Sequence, residues 1–148
     1  MPAKLLNVEM QLRISKPPRV VFEAIVDPKQ MSEYFTSSGT GRLDCDSPVT
    51  WRFADVGAKL VIRPQRVVAN RSVSFRWRAS KVDTLVVIEL KPLGKSATLV
   101  KVFESGWSRD SKGIARCIGQ TRGWAHMLSC MKAYLEHGVH LRKGGALK

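Results

Sequence analysis

Residues 73–104 read VSFRWRASKVDTLVVIELKPLGKSATLVKVFE, and their spacing decides the fold. Val73, Phe75 and Trp77 alternate with Ser74, Arg76 and Arg78, the period of a strand with one apolar and one polar face. Val86, Ile88 and Leu90 give a second strand, stopped by Pro92 and Gly94. Val100, Val102 and Glu104 alternate with Leu99, Lys101 and Phe103 in a third, which ends at Gly106. No helical spacing interrupts them, so neighbouring strands are expected to pair antiparallel.

The pattern extends upstream. Val49, Trp51 and Phe53 alternate with Thr50 and Arg52, and Leu60 and Ile62 with Val61 and Arg63; Asp55-Val56-Gly57 supplies the turn between them. Residues 36–41 read as a loop. Ser15 with Pro17-Pro18, and again Asp27-Pro28, place proline where a helix begins, because a first-turn proline lacks only an amide hydrogen that has no partner. Two short helices are expected, one carrying Val20, Val21, Phe22, Ala24 and Ile25, the other running to about Tyr34-Phe35. In front of them Val8, Met10, Leu12 and Ile14 alternate with Glu9, Gln11 and Arg13 in an opening strand.

Downstream the period changes. Cys117, Thr121, Trp124, Leu128, Met131 and Leu135 recur at spacings of three and four, an amphipathic helix that Gly138 stops. A curved antiparallel sheet of about six or seven strands needs its apolar face covered, and only this helix is long enough to cover it. The expectation is an α+β fold over residues 1–138, followed by a basic, frayed tail over 139–148.

Composition fits one domain. A chain of 148 residues buries about 68–70% of its unfolded surface, enough for a core without staples. With 44% apolar and 25% charged residues it is neither disordered, collagenous nor a disulfide scaffold. It has no apolar run of membrane-spanning length and no signal-like stretch in MPAKLLNVEM, so a cytoplasmic location is expected. Cys45, Cys117 and Cys130 are an odd, widely spaced set without CxxC, expected to be free thiols.

The net charge of +13 is the abnormal number, and its distribution is uneven. Residues 1–48 and 83–106 balance, whereas 49–82 carry net +7 and 107–148 net +6. Such a field attracts anions of every class and is silent about fold.

This order of elements resembles the helix-grip fold of the START-like superfamily, which includes the birch-pollen allergen and lipid-transfer domains. Within it the chain is most similar to the activator of heat-shock-protein-90 ATPase homologue family. The matching residues are Val21-Phe22 through Asp27-Pro28, Asp55-x-Gly57, Phe75-x-Trp77, Glu104-Ser105-Gly106, and Gly123-Trp124 with Leu128, spread over about residues 7–138. The chain departs from the family in having Tyr34-Phe35 where a Trp usually follows the second helix. The resemblance implies a cavity between sheet and long helix, and a place among stress-related, cochaperone-like proteins. For some superfamily members it implies cyclase or hydratase chemistry.

Three sets of residues are candidates for function. Trp51, Phe53, Phe75 and Trp77, with Val86, Ile88, Val100 and Val102, face Trp124, Leu128 and Met131, and these side chains either wall a cavity for a small hydrophobic or amphipathic ligand or fill the core. By parity Glu104 shares their face, where an unpaired carboxylate is costly. It then binds a polar ligand group or acts as an acid or base with Tyr34; otherwise it sits at the strand end in water or beside an arginine. Arg52, Arg63, Arg76 and Arg78 fall on the polar parity of neighbouring strands, either a solvated surface or a basic face for an acidic protein partner. Gly123 is expected to let the helix approach the sheet closely, so that Trp124 reaches toward Phe75 and Trp77. His137-x-x-His140 crosses the helix stop and lacks further ligands, so neither a metal nor another cofactor is expected. Interleaved surface aromatics, helix-turn-helix and zinc-finger spacing are missing, which disfavours nucleic acid.

Overall fold

The computed structural model describes residues 6–143. In chain order the elements are β1 (Leu6–Ile14), α1 (Pro18–Val26), α2 (Pro28–Met31), β2 (Ser38–Gly39), β3 (Val49–Phe53), β4 (Ala58–Val68), β5 (Ser72–Trp77), β6 (Thr84–Pro92), β7 (Thr98–Trp107) and α3 (Ser111–His137). The strands form one antiparallel sheet of seven in the order β1-β7-β6-β5-β4-β3-β2. Its curved, apolar face wraps α3, which packs on β1 and β7. This is the helix-grip arrangement that the order of elements implied.

Local chemistry explains most boundaries. Pro18 opens α1, and the Asp27 carboxylate accepts the Lys29 amide at 3.0 Å to open α2. Asp110 does the same for α3, accepting the Gly113 amide at 2.8 Å, and Gly138 closes that helix at φ 65°. Three boundaries differ from expectation. α2 ends at Met31, and a turn in which the Phe35 amide bonds the Met31 carbonyl at 2.8 Å carries the chain to Phe35. The expected loop over residues 36–41 contains a two-residue strand on β3. Space is tight there, since a Cβ on Gly39 would lie 3.1 Å from Pro28 and 3.3 Å from Trp51. β4 continues past Pro64 because a bulge between Pro64 and Arg66 absorbs the proline, while the Ser74 hydroxyl bonds both the amide and the carbonyl of Arg66.

The core lies between the sheet and the second half of α3, from which Trp124, Met127, Leu128, Cys130 and Met131 are buried. The first half is different. Ile114 and Ile118 are exposed, and Gly119 and Gly123 face open space.

Residues 139–143, the start of the expected tail, make contacts with the rest of the fold. His140 Nδ1 lies 2.9 Å from Glu33, and Arg142 bonds Asp55 in the β3–β4 turn. The rest of the expected tail, residues 144–148, lies outside the described residues, as do residues 1–5. No helix among the described residues is long and apolar enough to cross a membrane.

Candidate functional site

Inward-facing aromatics from β3, β5 and α3 meet at one end of the sheet. Trp51 makes edge contacts with Phe75 and Trp77, Phe75 with Trp77, and Trp77 lies against Trp124 with ring centres 5.5 Å apart. Phe35, from the turn after α2, touches Trp51, Phe53 and Trp124.

Glu104 is the keystone of this cluster. Its side chain is fully buried, so the strand-end placement, in water or beside an arginine, is not what the structure has. It has instead four neutral donors. Trp124 Nε1–H donates to Oε1 at 2.7 Å, and Trp77 Nε1–H to Oε2 at 2.9 Å. The Thr84 hydroxyl donates to Oε2 at 2.6 Å, and the Gln120 amide reaches Oε1 at 3.0 Å and Oε2 at 3.2 Å. Both oxygens accept at least two bonds, and indole N–H groups only donate, so each acceptor of the side chain is met by a donor. What it does locally is fix two indole planes.

Those planes are the back wall of a cleft of about 350 Å³ between the sheet and the first half of α3. Phe53, Ala58 and Leu60 form the sheet side with Phe35 of the turn after α2, and Gly119, Gln120 and Gly123 the helix side. A Cβ at Gly119 or Gly123 would meet no atom within 4 Å. The expected close helix–sheet approach at Gly123 is therefore absent; these glycines leave the cleft open. Trp124 reaches Trp77 as expected. Arg122, His126 and Arg142 complete the rim. A larger surface groove of about 820 Å³, between the start of α1 and the β4–β5 turn, offers turns and surface lysines without an aromatic wall or any part of α3.

The structure divides the residues that sequence placed around a cavity. Phe53, Trp77 and Trp124 line the cleft, with Glu104 directly behind the two indoles. Trp51, Phe75, Leu128 and Met131 are buried in the filled part of the core, as are Val86, Ile88, Val100 and Val102. The two alternatives thus hold for different parts of one interface. Tyr34 is elsewhere: its hydroxyl donates to the Ala24 carbonyl at 2.8 Å and its ring stacks on Tyr134, and burial pushes that hydroxyl's pKa well above its ordinary value. Tyr34 and Glu104 therefore do not converge on one pocket.

On the outer face Arg63 and Arg76 stand opposite each other on β4 and β5 and share Asp83, the Arg76 pair at 2.9 Å. Arg78 donates to the Lys81 carbonyl at 2.8 Å, and Arg52 is exposed beside Lys59 on β4. Two of the four guanidinium groups are thus partly neutralised. Cys45, Cys117 and Cys130 are unbridged. Among the described residues no group of three or more His, Cys, Asp or Glu side chains is arranged to hold a metal.

Sequence reasoning named Trp124 on the helix side but missed Gln120 and the rim. Gln120 and Trp124 are four residues apart, one helical turn, which puts both over Glu104 once Trp124 is known to point inward. Nothing in the sequence announced Arg142, whose role depends on where the chain turns after Gly138.

The family model for Activator of Hsp90 ATPase homolog 1-like protein matches residues 15–136. A crystal structure of a Staphylococcus saprophyticus protein is 31% identical, with a TM-score of 0.78 over 90% of this chain and 94% of that one. The solution structure of the Aha1 dimer from Colwellia psychrerythraea has a TM-score of 0.76 at 20% identity, covering 90% and 98% of the two chains. An HSP90 activator from Plasmodium falciparum has a TM-score of 0.68 at 16% identity, covering 88% and 96%. No curated protein matches the chain significantly.

Proposed function

The chain belongs to the Activator of Hsp90 ATPase homolog 1-like family, and from that premise we propose that it is a non-catalytic domain binding a small hydrophobic or amphipathic ligand in the cleft between sheet and α3. One observation carries this reading. The cleft is walled by Phe35, Phe53 and Trp77 and by Trp124 of α3, and the same helix carries two glycines with empty space above each. A packed interior leaves no such room next to four aromatic rings. Ligand sites are characteristically concave, apolar and supplied with a few fixed polar groups, here Gln120 and the rim arginines.

The test is native mass spectrometry and thermal-shift screening with small apolar and aromatic compounds, on the wild type and Gly123→Leu. The expected result is a ligand that raises the wild-type melting temperature and has no effect on Gly123→Leu. A compound that stabilises both equally binds elsewhere, and a screen without any binder contradicts the proposal.

A second reading is favoured by the outer face, where Arg52, Lys59 and Arg78 surround the exposed Val61. On this reading the chain docks an acidic protein partner. Complementary charge would speed association and set orientation. Capture that persists in high salt, or in an Arg52→Glu/Arg78→Glu variant, would count against it.

A further inference from the structure

We infer that the ligand of the cleft is an organic anion, an apolar acid whose charged end is held at the rim by Arg142 and Arg122. This rests on the cleft being the binding site. The ionisable side chains lining the cleft are Arg122, His126 and Arg142, and no aspartate or glutamate is among them.

Arg142 is built for the task. Its guanidinium lies 5.8 Å from the ring centre of Phe35 and 5.6 Å from that of Phe53. Its side chain is only 18% exposed, so ring faces replace much of the water around the cation. It already holds a carboxylate in two-point fashion: Nε donates to Asp55 Oδ2 at 2.9 Å and Nη2 to Oδ1 at 3.4 Å. Asp55 belongs to the β3–β4 turn and is not a cleft-lining residue. A ligand carboxylate can share or take over that fork while its apolar part enters against Trp77 and Trp124. Arg122, on the exposed side of α3, has no acidic partner within 4 Å among the described residues.

Two carboxylates oppose an anion: Asp55, already paired with Arg142 outside the cleft lining, and Glu104 behind the indoles. The Glu104 oxygens are saturated by four donors, and the indoles and the Gln120 amide stand between it and the cleft. A ligand cation would find no carboxylate on the cleft wall. The overall charge of +13 also draws anions, without selecting this site.

The test uses two fluorescent probes with the same ring system, anionic 1-anilinonaphthalene-8-sulfonate and neutral N-phenyl-1-naphthylamine. Each is titrated into the full chain and into Arg142→Met, Lys95→Gln and Gly123→Leu. Arg142→Met keeps an apolar side chain over the two phenylalanines, and Lys95→Gln removes one charge from the β6–β7 turn. The expected result is tighter binding of the anionic probe. Arg142→Met should weaken it about tenfold, the size of one charge-assisted hydrogen bond, and leave the neutral probe unchanged. Lys95→Gln should alter neither probe, and Gly123→Leu should abolish both. Equal affinities, with the anionic probe indifferent to Arg142→Met, overturn the anion assignment and leave the cleft as an apolar site. Equal losses in Arg142→Met and Lys95→Gln overturn it in favour of a diffuse field. Binding that survives Gly123→Leu, or no binding of either probe, overturns the cleft reading itself.

Discussion

At the scale of the residue, Glu104 shows what parity can and cannot disclose. Alternation along residues 98–104 places it on the apolar face, and there it is. Which groups satisfy it depends on β5, β6 and α3 arriving together, because its donors come from positions 77, 84, 120 and 124. Replacing it with glutamine keeps the volume and turns one acceptor into a donor. One of the N–H or O–H groups that donate to Glu104 then faces another donor. Leaving a buried donor unpaired costs about 1–3 kcal/mol, so Glu104→Gln should be destabilised by about that much in denaturant unfolding. An unchanged midpoint would mean that water already reaches the carboxylate. Trp124 has two roles, since it fills a buried position and walls the cleft. Emptying a large aromatic site costs about 3–5 kcal/mol, and Trp124→Ala should lose a similar amount. A loss below about 1 kcal/mol would contradict its burial and its bond to Glu104.

At the scale of the element, α3 is two helices in one. The stripe from Cys117 to Leu135 names the face that packs, most fully buried from Trp124 onward, and a spacing argument can read the face. It cannot say that the Gly119 and Gly123 side of the first half covers a space while Cys117 packs on the core, because a glycine in a sequence signals equally a close contact and an opening. Gly119 and Gly123 mark an opening. Glycine in a helix interior is less stable than alanine by about 0.5–1 kcal/mol, and here no neighbour resists the added methyl. Gly119→Ala and Gly123→Ala should therefore each stabilise the fold by about that amount in thermal unfolding, while narrowing the cleft. Destabilisation would mean that the helix lies closer to the sheet than the structure has it. Gly113 is the opposite case, since a Cβ there would lie 1.7 Å from the Ser108 carbonyl oxygen.

The start of α3 also carries a pH dependence. Bonds from the Gly113 amide and then Ser108 hold the Asp110 carboxyl below its ordinary range. Its folded-state value is thus lower than its unfolded one. The support it gives is complete above about pH 4, the ordinary range of an aspartate. That support is lost as pH falls through the lowered value. Amide exchange over residues 111–116 should accelerate below pH 4 in the wild type, beyond the intrinsic pH effect. In Asp110→Asn, which can cap but not titrate, that extra acceleration should disappear.

At the scale of the whole molecule, the order of elements was readable because each strand alternates cleanly and one long helix follows them. The short β2 was not, since two residues carry no period. The rim of the cleft was not either: Phe35, Asp55 and Arg142 come from a turn, a hairpin and the segment after α3, and only the closed fold unites them. The filled and open parts of the interface share the same aromatic alphabet, so composition could not apportion Trp51 and Phe75 to one and Trp77 and Trp124 to the other. The molecule itself offers four separate reporters for that division. Trp77 and Trp124 donate to Glu104 behind the cleft, Trp107 donates to Ser80 at 2.9 Å, and Trp51 is buried in the core. Titrating N-phenyl-1-naphthylamine into the nitrogen-15-labelled protein should shift the indole signals of Trp77 and Trp124 and the amides of Gly119, Gln120 and Gly123. The Trp107 signal and the amides of Arg63 and Arg76 should stay in place. Shifts confined to the outer face of β4 and β5, or spread evenly over all four indoles, would contradict a ligand site between the sheet and α3.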